Sequence, residues 1–355
     1  MRTRSTWHSW TTLAALGLAG ALLGCSADTT GPGGSTGTLA HPRKLLGIKD
    51  TVLTSSGGAL AARGLGAEAS PPVVGLPFGA AVSKDGVTYV TLHGGLDAIV
   101  RWDFSTRSFK DGVTLTGDEP TNVSFSPDGK RAYVAAQLSD RVDVVDVATD
   151  SIVGEAPTPG NDPYQTVVSP DGSRFFASGN GDKIWIFDAT TNAFIDTVAV
   201  DADPNGMAIT PDGKWMFITH LSSGNIGRIT LATGVYDTLA TVGGTPVHGL
   251  AISPDGTKLY LVSQGTDSLY EFDTSTGENL GQIVAGSEPF GLAATPDGSE
   301  VWITSLGGEL RRFNTDGLVP ITTTYLGGYL RRLAIDPAGN SAVVADEDGY
   351  IIVIR

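Results

Sequence analysis

His248, Glu288 and Arg331 have the residue types of an acid–base site. An imidazole can take or give a proton, a carboxylate can orient it, and a guanidinium can clamp a carboxylate or a developing oxyanion. His220, His248 and Asp203 are the one N/O donor set suited to a metal ion, although no HxH or HxxxH spacing joins them. Cys25 is the sole cysteine, which excludes a disulfide framework and a covalently attached c-type haem. The first three residues stand about one interval apart, and that interval recurs along the chain.

The interval is marked by a four-residue turn. SKDG begins at Ser83, SPDG at Ser126, Ser169 and Ser253, TPDG at Thr210 and Thr295, and a degenerate DPAG at Asp336, so successive copies start 41 to 43 residues apart. Around each copy lie short β-branched and aromatic runs, such as RAYVAA from Arg131, KLYLVS from Lys258 and KIWIFD from Lys183, with no helical period. Four strands per unit of about 42 residues is the geometry of a propeller blade. The acid of the motif returns in almost every unit and is Ala338 in the last, so it reads as punctuation between two strands rather than as a catalytic group. Asp103, Asp146, Asp188 and Asp273, each followed three residues later by Thr, read as caps of a second turn.

A repeated scaffold places its chemistry where the repeats differ. Seven residues before the motif Asp (or Ala338) stand Phe78, Thr121, Tyr164, Asn205, His248, Phe290 and Arg331. This position is expected on the face opposite the turns, around the mouth of the central channel. Phe78, Tyr164, Asn205, His248, Phe290 and Arg331 are therefore the expected ligand-binding residues. Glu119, Asp162, Asp203 and Glu288 precede the loop Pro and, with His93 and His220, should make the rim polar and acidic.

The unit PNGMAITPDGKWMFITHLSSGNIGRITLATG from Pro204, like PFGAAVSKDGVTYVTL from Pro77, resembles the YVTN family of β-propeller repeats, over about four fifths of the chain. That family groups with lactonase-like and quinoprotein propellers. The resemblance implies an all-β, seven-bladed propeller of four-stranded antiparallel blades. It also implies, as alternatives, a lactonase-like hydrolase or isomerase using His248, Glu288 and Arg331, and thirdly a quinoprotein-type redox role.

The N-terminus is basic, then apolar from about Leu13 to Leu23, too short to span a bilayer. Its end, Leu22-Leu23-Gly24-Cys25, resembles the bacterial lipobox, which implies a signal peptide over residues 1–24 and a lipidated Cys25. Residues 25–45 are rich in Gly, Ser and Thr and read as a tether, leaving 46–355 as the propeller. The last run, GYIIVIR, matches the third strand of a blade, so an N-terminal strand must close the ring. KDTVLTS from Lys49 and GALAARG from Gly58 are the candidates. A net charge of −15 argues against nucleic acid as a partner.

The sequence thus describes an exported lipoprotein of the cell envelope, expected at the outer membrane. It is expected to act as a binding or scaffolding module through the channel-mouth face, with a lactonase-like hydrolase at the same face as the alternative. An envelope protein or small molecule is the expected partner, the membrane is met only through the lipid anchor, and the chain is expected to be monomeric. No cofactor is predicted beyond the metal ion that His220, His248 and Asp203 would suit.

Overall fold

The turn motif explains where each blade begins. In a computed structural model, which describes residues 47–51 and 76–354 except 95, 96, 107 and 116, the Ser126 hydroxyl donates to Asp128 Oδ1 at 2.6 Å and accepts the Arg131 N–H at 3.0 Å. Gly129 closes the turn at a φ of 73°. The same bonds recur from Ser169, Thr210, Ser253 and Thr295, and the hydroxyl and backbone donors hold Asp171 down at about 2. In the degenerate copy, Asp336 itself accepts the N–H groups of Asn340 and Ser341. The second recurring acid is a cap as well: Asp146 Oδ1 accepts the Ala148 and Thr149 N–H groups and the Thr149 hydroxyl. Both acids are structural, as their repetition predicted.

Seven four-stranded sheets follow, each built of strands consecutive in sequence except the last. The first strands are Leu76–Val82, Pro120–Phe125, Pro163–Val168, Pro204–Ile209, Val247–Ile252, Pro289–Ala294 and Leu330–Ile335, and they begin blades 1 to 7. Second strands such as Arg131–Ala136 and Lys258–Ser263 are buried almost end to end, because both faces of a blade press on a neighbour. Tyr133 packs towards blade 3, while Ala132 and Val134 pack towards blade 1. Apolar clusters of this kind fill the seams between successive blades, including the seam of blades 7 and 1, where Ile351 and Val353 meet Val90, Val100 and Trp102. Fourth strands such as Asn279–Val284 are largely exposed.

Blade 7 is completed by Gly47–Thr51, which lies outside Tyr350–Ile354 in the order Gly47–Thr51, Tyr350–Ile354, Ala342–Asp346, Leu330–Ile335. The closing strand therefore begins two residues ahead of the first candidate and overlaps its Lys49–Thr51. Its pairing is parallel, with Gly47 opposite Tyr350 and Thr51 opposite Ile354, whereas every other pair in the blades is antiparallel. The expected signal peptide, Cys25, the tether and the GALAARG candidate lie outside the described residues.

One irregularity positions the site. Every first strand shifts register just after its start, for example between Pro77 and Ala80, between Pro120 and Asn122, and between Leu330 and Leu333. A bulge re-aims side chains that a regular pleat would send to alternate faces of a sheet.

Candidate functional site

The bulges gather the variable ring at the mouth. Phe78 stands edge-on to Phe290 at 5.9 Å, to Tyr164 at 6.0 Å and to His93 at 4.9 Å between ring centroids. Phe290 in turn lies 4.6 Å from the His248 ring. The Arg331 guanidinium caps both phenyl rings, at 5.1 Å from Phe78 and 4.7 Å from Phe290. Phe78, Phe290 and His248 are only 7%, 3% and 8% exposed, so residues from blades 1, 3, 5, 6 and 7 form a plug across the mouth. The two remaining ring positions, Thr121 and Asn205, are buried as well. They tie first strands to adjoining blades, through the Thr121 hydroxyl on the Tyr164 carbonyl at 2.8 Å and the Ser178 hydroxyl on the Asn205 carbonyl at 2.7 Å.

A chain of charges runs along one side of the plug. Glu119 meets His93 Nδ1 at 2.8 Å, His93 Nε2 lies 3.4 Å from Glu347, and Arg331 Nε donates to Glu347 at 2.6 Å. Burial alone would lower the His93 pKa, but the carboxylates of Glu119 and Glu347 raise it above its ordinary value. The hydrogen bond from His93 keeps Glu119 low, and Glu347, which burial would raise, is held down by His93 and Arg331.

Glu347 did not stand out in the sequence; its signal was an acid just beyond a second strand, one place after the position His93 takes in blade 1. Glu288 is not the partner of Arg331. It is exposed, adopts a left-handed φ of 50°, and donates its N–H to Asp267 Oδ1 at 2.8 Å. Glu119, Asp162 and Asp203 share that conformation, so the acids before each loop Pro partly serve the backbone.

His248 has no carboxylate acting on it. Burial, then the charges of Arg332 and Arg331, push its pKa to about 3, and its Nδ1 has no hydrogen-bond partner. His220 is also buried, with Nδ1 3.1 Å from the Ala202 carbonyl and Nε2 3.2 Å from the Tyr236 hydroxyl. Among the described residues no three of His, Cys, Asp and Glu come together as metal ligands, so His220, His248 and Asp203 do not share a centre.

The channel changes character inward of the plug. The next residue of each first strand is Gly79, Asn122, Gln165, Gly206, Gly249, Gly291 or Arg332. The glycines are dictated by contact: a Cβ on Gly79 would stand 2.6 Å from the Thr121 carbonyl oxygen, and one on Gly249 2.7 Å from that of Phe290. At this position side chains come only from blades 2, 3 and 7. There a cavity of about 400 Å³ is lined by Asn122, Gln165 and Arg332 at depth and by Ser83, Lys84, Ser126 and Pro127 at the end near the turns. Lys84, Asn122 and Arg332 went unremarked in the sequence. Alternation of glycine with long polar residues, one place after the variable ring, was the available signal.

The profile of the family described as "Lactonase, 7-bladed beta-propeller" matches residues 79–237. The chain is similar to that family over this span. The seven-bladed beta-propeller protein Rv1057 of Mycobacterium tuberculosis is 28% identical over 235 residues, which cover 55% of this chain and 60% of the relative. This chain therefore spans only about 60% of the length of that curated relative. Among solved structures, Kuenenia stuttgartiensis hydrazine synthase superposes with a TM-score of 0.72 at 20% identity, covering 79% of this chain and 95% of that one. At such identity the likeness concerns the fold alone.

Proposed function

We propose that this protein is an exported, lipid-anchored binding module that holds a small ligand in its central channel. The observation that carries the reading is the state of His248: sealed in the plug, pushed to about 3 by burial and two arginines, with no carboxylate to orient it. A general base works best when its pKa lies near the working pH. The lactonase-like alternative needs His248, Glu288 and Arg331 in one place, and Glu288 stands apart from the other two. Phe78 and Phe290 fill the mouth with their own rings, which favours the channel inward of them as the ligand site. Export and anchoring rest on the Leu22 to Cys25 sequence.

The test runs two screens on the purified mature protein, one for hydrolysis of lactones and related esters and one for small-molecule binding by thermal shift. Binding without turnover is the expected result. Saturable hydrolysis lost in His248→Ala would overturn the reading. In the same cells Cys25→Ser should abolish detergent partitioning, and retained partitioning would remove the anchor from the proposal.

A further inference from the structure

We infer that the channel cavity is a binding site for a compact anion, a carboxylate or phosphate group of a small molecule, received by Arg332 at depth with Lys84 at the lip. The inference rests on the channel being the ligand site and names the class of ligand.

The first support is charge placed against the trend of the whole molecule. The chain has 38 acids against 23 Lys and Arg, yet the cavity lining contains two cations, Arg332 and Lys84, and no acid. A cavity lined by one sign of charge with low-dielectric walls concentrates the opposite ion.

The second is the condition of the deep guanidinium. Arg332 Nε and Nη2 are sealed from solvent without a hydrogen-bond partner. Around it stand Tyr164, with its ring 5.7 Å from the guanidinium carbon and its hydroxyl in hydrogen-bonding reach, neutral His248, and Arg331, which is already engaged by Glu347. Burial lowers the Arg332 pKa, the Tyr164 phenol opposes that, and no carboxylate acts on it. A buried charge left unpaired is costly, and a bound anion repays that cost. By contrast the Arg312 and Arg228 guanidiniums each find a carboxylate within 2.7 Å.

The third is what else lies free beside it. Asn122 is buried with Oδ1 unpartnered, so its amide can turn either its oxygen or its NH₂ to a ligand. Gln165 is not available, because both ends of its amide are held by the Met207 backbone at 3.0 and 3.2 Å. One planar fork with a free amide beside it suits a carboxylate or phosphate bearing a neighbouring polar group.

The experiment uses the full mature protein and its Arg332→Gln variant, with inorganic phosphate in one arm and malonate in the other, each against sodium chloride at equal ionic strength. Phosphate or malonate should raise the wild-type Tm beyond the salt control, and the arm that responds identifies the anion. Affinity should fall about thirtyfold or more in Arg332→Gln. Without anion the variant should melt no lower than wild type, because an unpaired buried charge has been removed; a merely structural arginine would give a lower Tm. Should Arg332→Gln fail to fold, the exposed Lys84→Gln carries the test through a weaker, more salt-sensitive response. An equal response in wild type and variants overturns the inference. So does a wild type that ignores both anions while a neutral compound from the library binds, which leaves the binding reading standing. Hydrolytic turnover, in contrast, would remove that reading itself.

Discussion

Phe290→Ala should destabilise the protein by about 4 kcal/mol. The phenyl ring is 3% exposed, lies against Phe78 and His248, and carries the Arg331 guanidinium on its face. Truncating a buried Phe costs roughly 3–5 kcal/mol through lost transfer energy and the cavity left behind. Aromatic pairs add roughly 0.5–1.5 kcal/mol each, and a guanidinium on a ring roughly 0.5–2 kcal/mol, although these terms overlap and do not simply sum. The lower part of the range would apply if water filled the hole, and His248 and Arg331 make that hole partly polar. For a domain of this size about 4 kcal/mol corresponds to a fall in Tm of about 6 °C. The assay is thermal and denaturant unfolding followed by tryptophan fluorescence at pH 7. Val319→Ala, at an outer-strand position 55% exposed, serves as control and should stay within about 0.5 kcal/mol of wild type. A loss below about 1 kcal/mol for Phe290→Ala would refute the plug, since only an open recognition surface tolerates removal of such a ring.

His93→Gln should make stability less dependent on pH in a defined direction. The His93 pKa is raised on folding, so its stabilisation is complete below the unfolded value of about 6.5 and disappears as pH rises through the folded value. The Tm gap between wild type and His93→Gln should therefore be widest at acid pH and narrow on the alkaline side; His220 and His248, whose pKa values are lowered, are common to both proteins and cancel. A gap that widens with pH would contradict the Glu119–His93–Glu347 arrangement. Deleting residues 1–51 should lower Tm and promote association relative to deleting 1–46, because Tyr350–Ile354 becomes an open edge. Equal melting and equal sedimentation of the two truncations would show that Gly47–Thr51 does not close the ring.

The architecture was legible because its signals are local. A Ser or Thr, an Asp two residues on and a Gly after it make their bonds within six residues, as Ser126, Asp128 and Arg131 do, so repetition in sequence is repetition in space. The ring from Phe78 to Arg331 was legible for the same reason, as one frame position counted from the turn. Its role was less so. Whether Phe78 and Phe290 face solvent or each other depends on the bulge in each first strand and on the width of a seven-bladed ring, and neither is written in any single repeat. Glu288 and Glu347 show the limit most directly. Both are acids near the mouth, but Arg331 reaches across its own blade to the loop after Ala342–Asp346, a choice made by side-chain direction. The acids ahead of each loop Pro drew notice as rim charges, whereas their left-handed backbone is a property of the turn they occupy.

The direction of the closing strand gives the molecule a sidedness. Because Gly47 stands level with Tyr350, where the third strand of blade 7 leaves the mouth side, the chain enters the ring from the plugged face and runs towards the turns. An antiparallel closure would have brought it in at the other face. The cavity's lip, with Ser83, Lys84, Ser126 and Pro127, lies at the turns, so Gly47 and that lip stand at opposite poles of the ring. Under the lipid anchoring proposed above, a pull on the chain ahead of Gly47 would be taken up at the sealed pole, away from the cavity's lip.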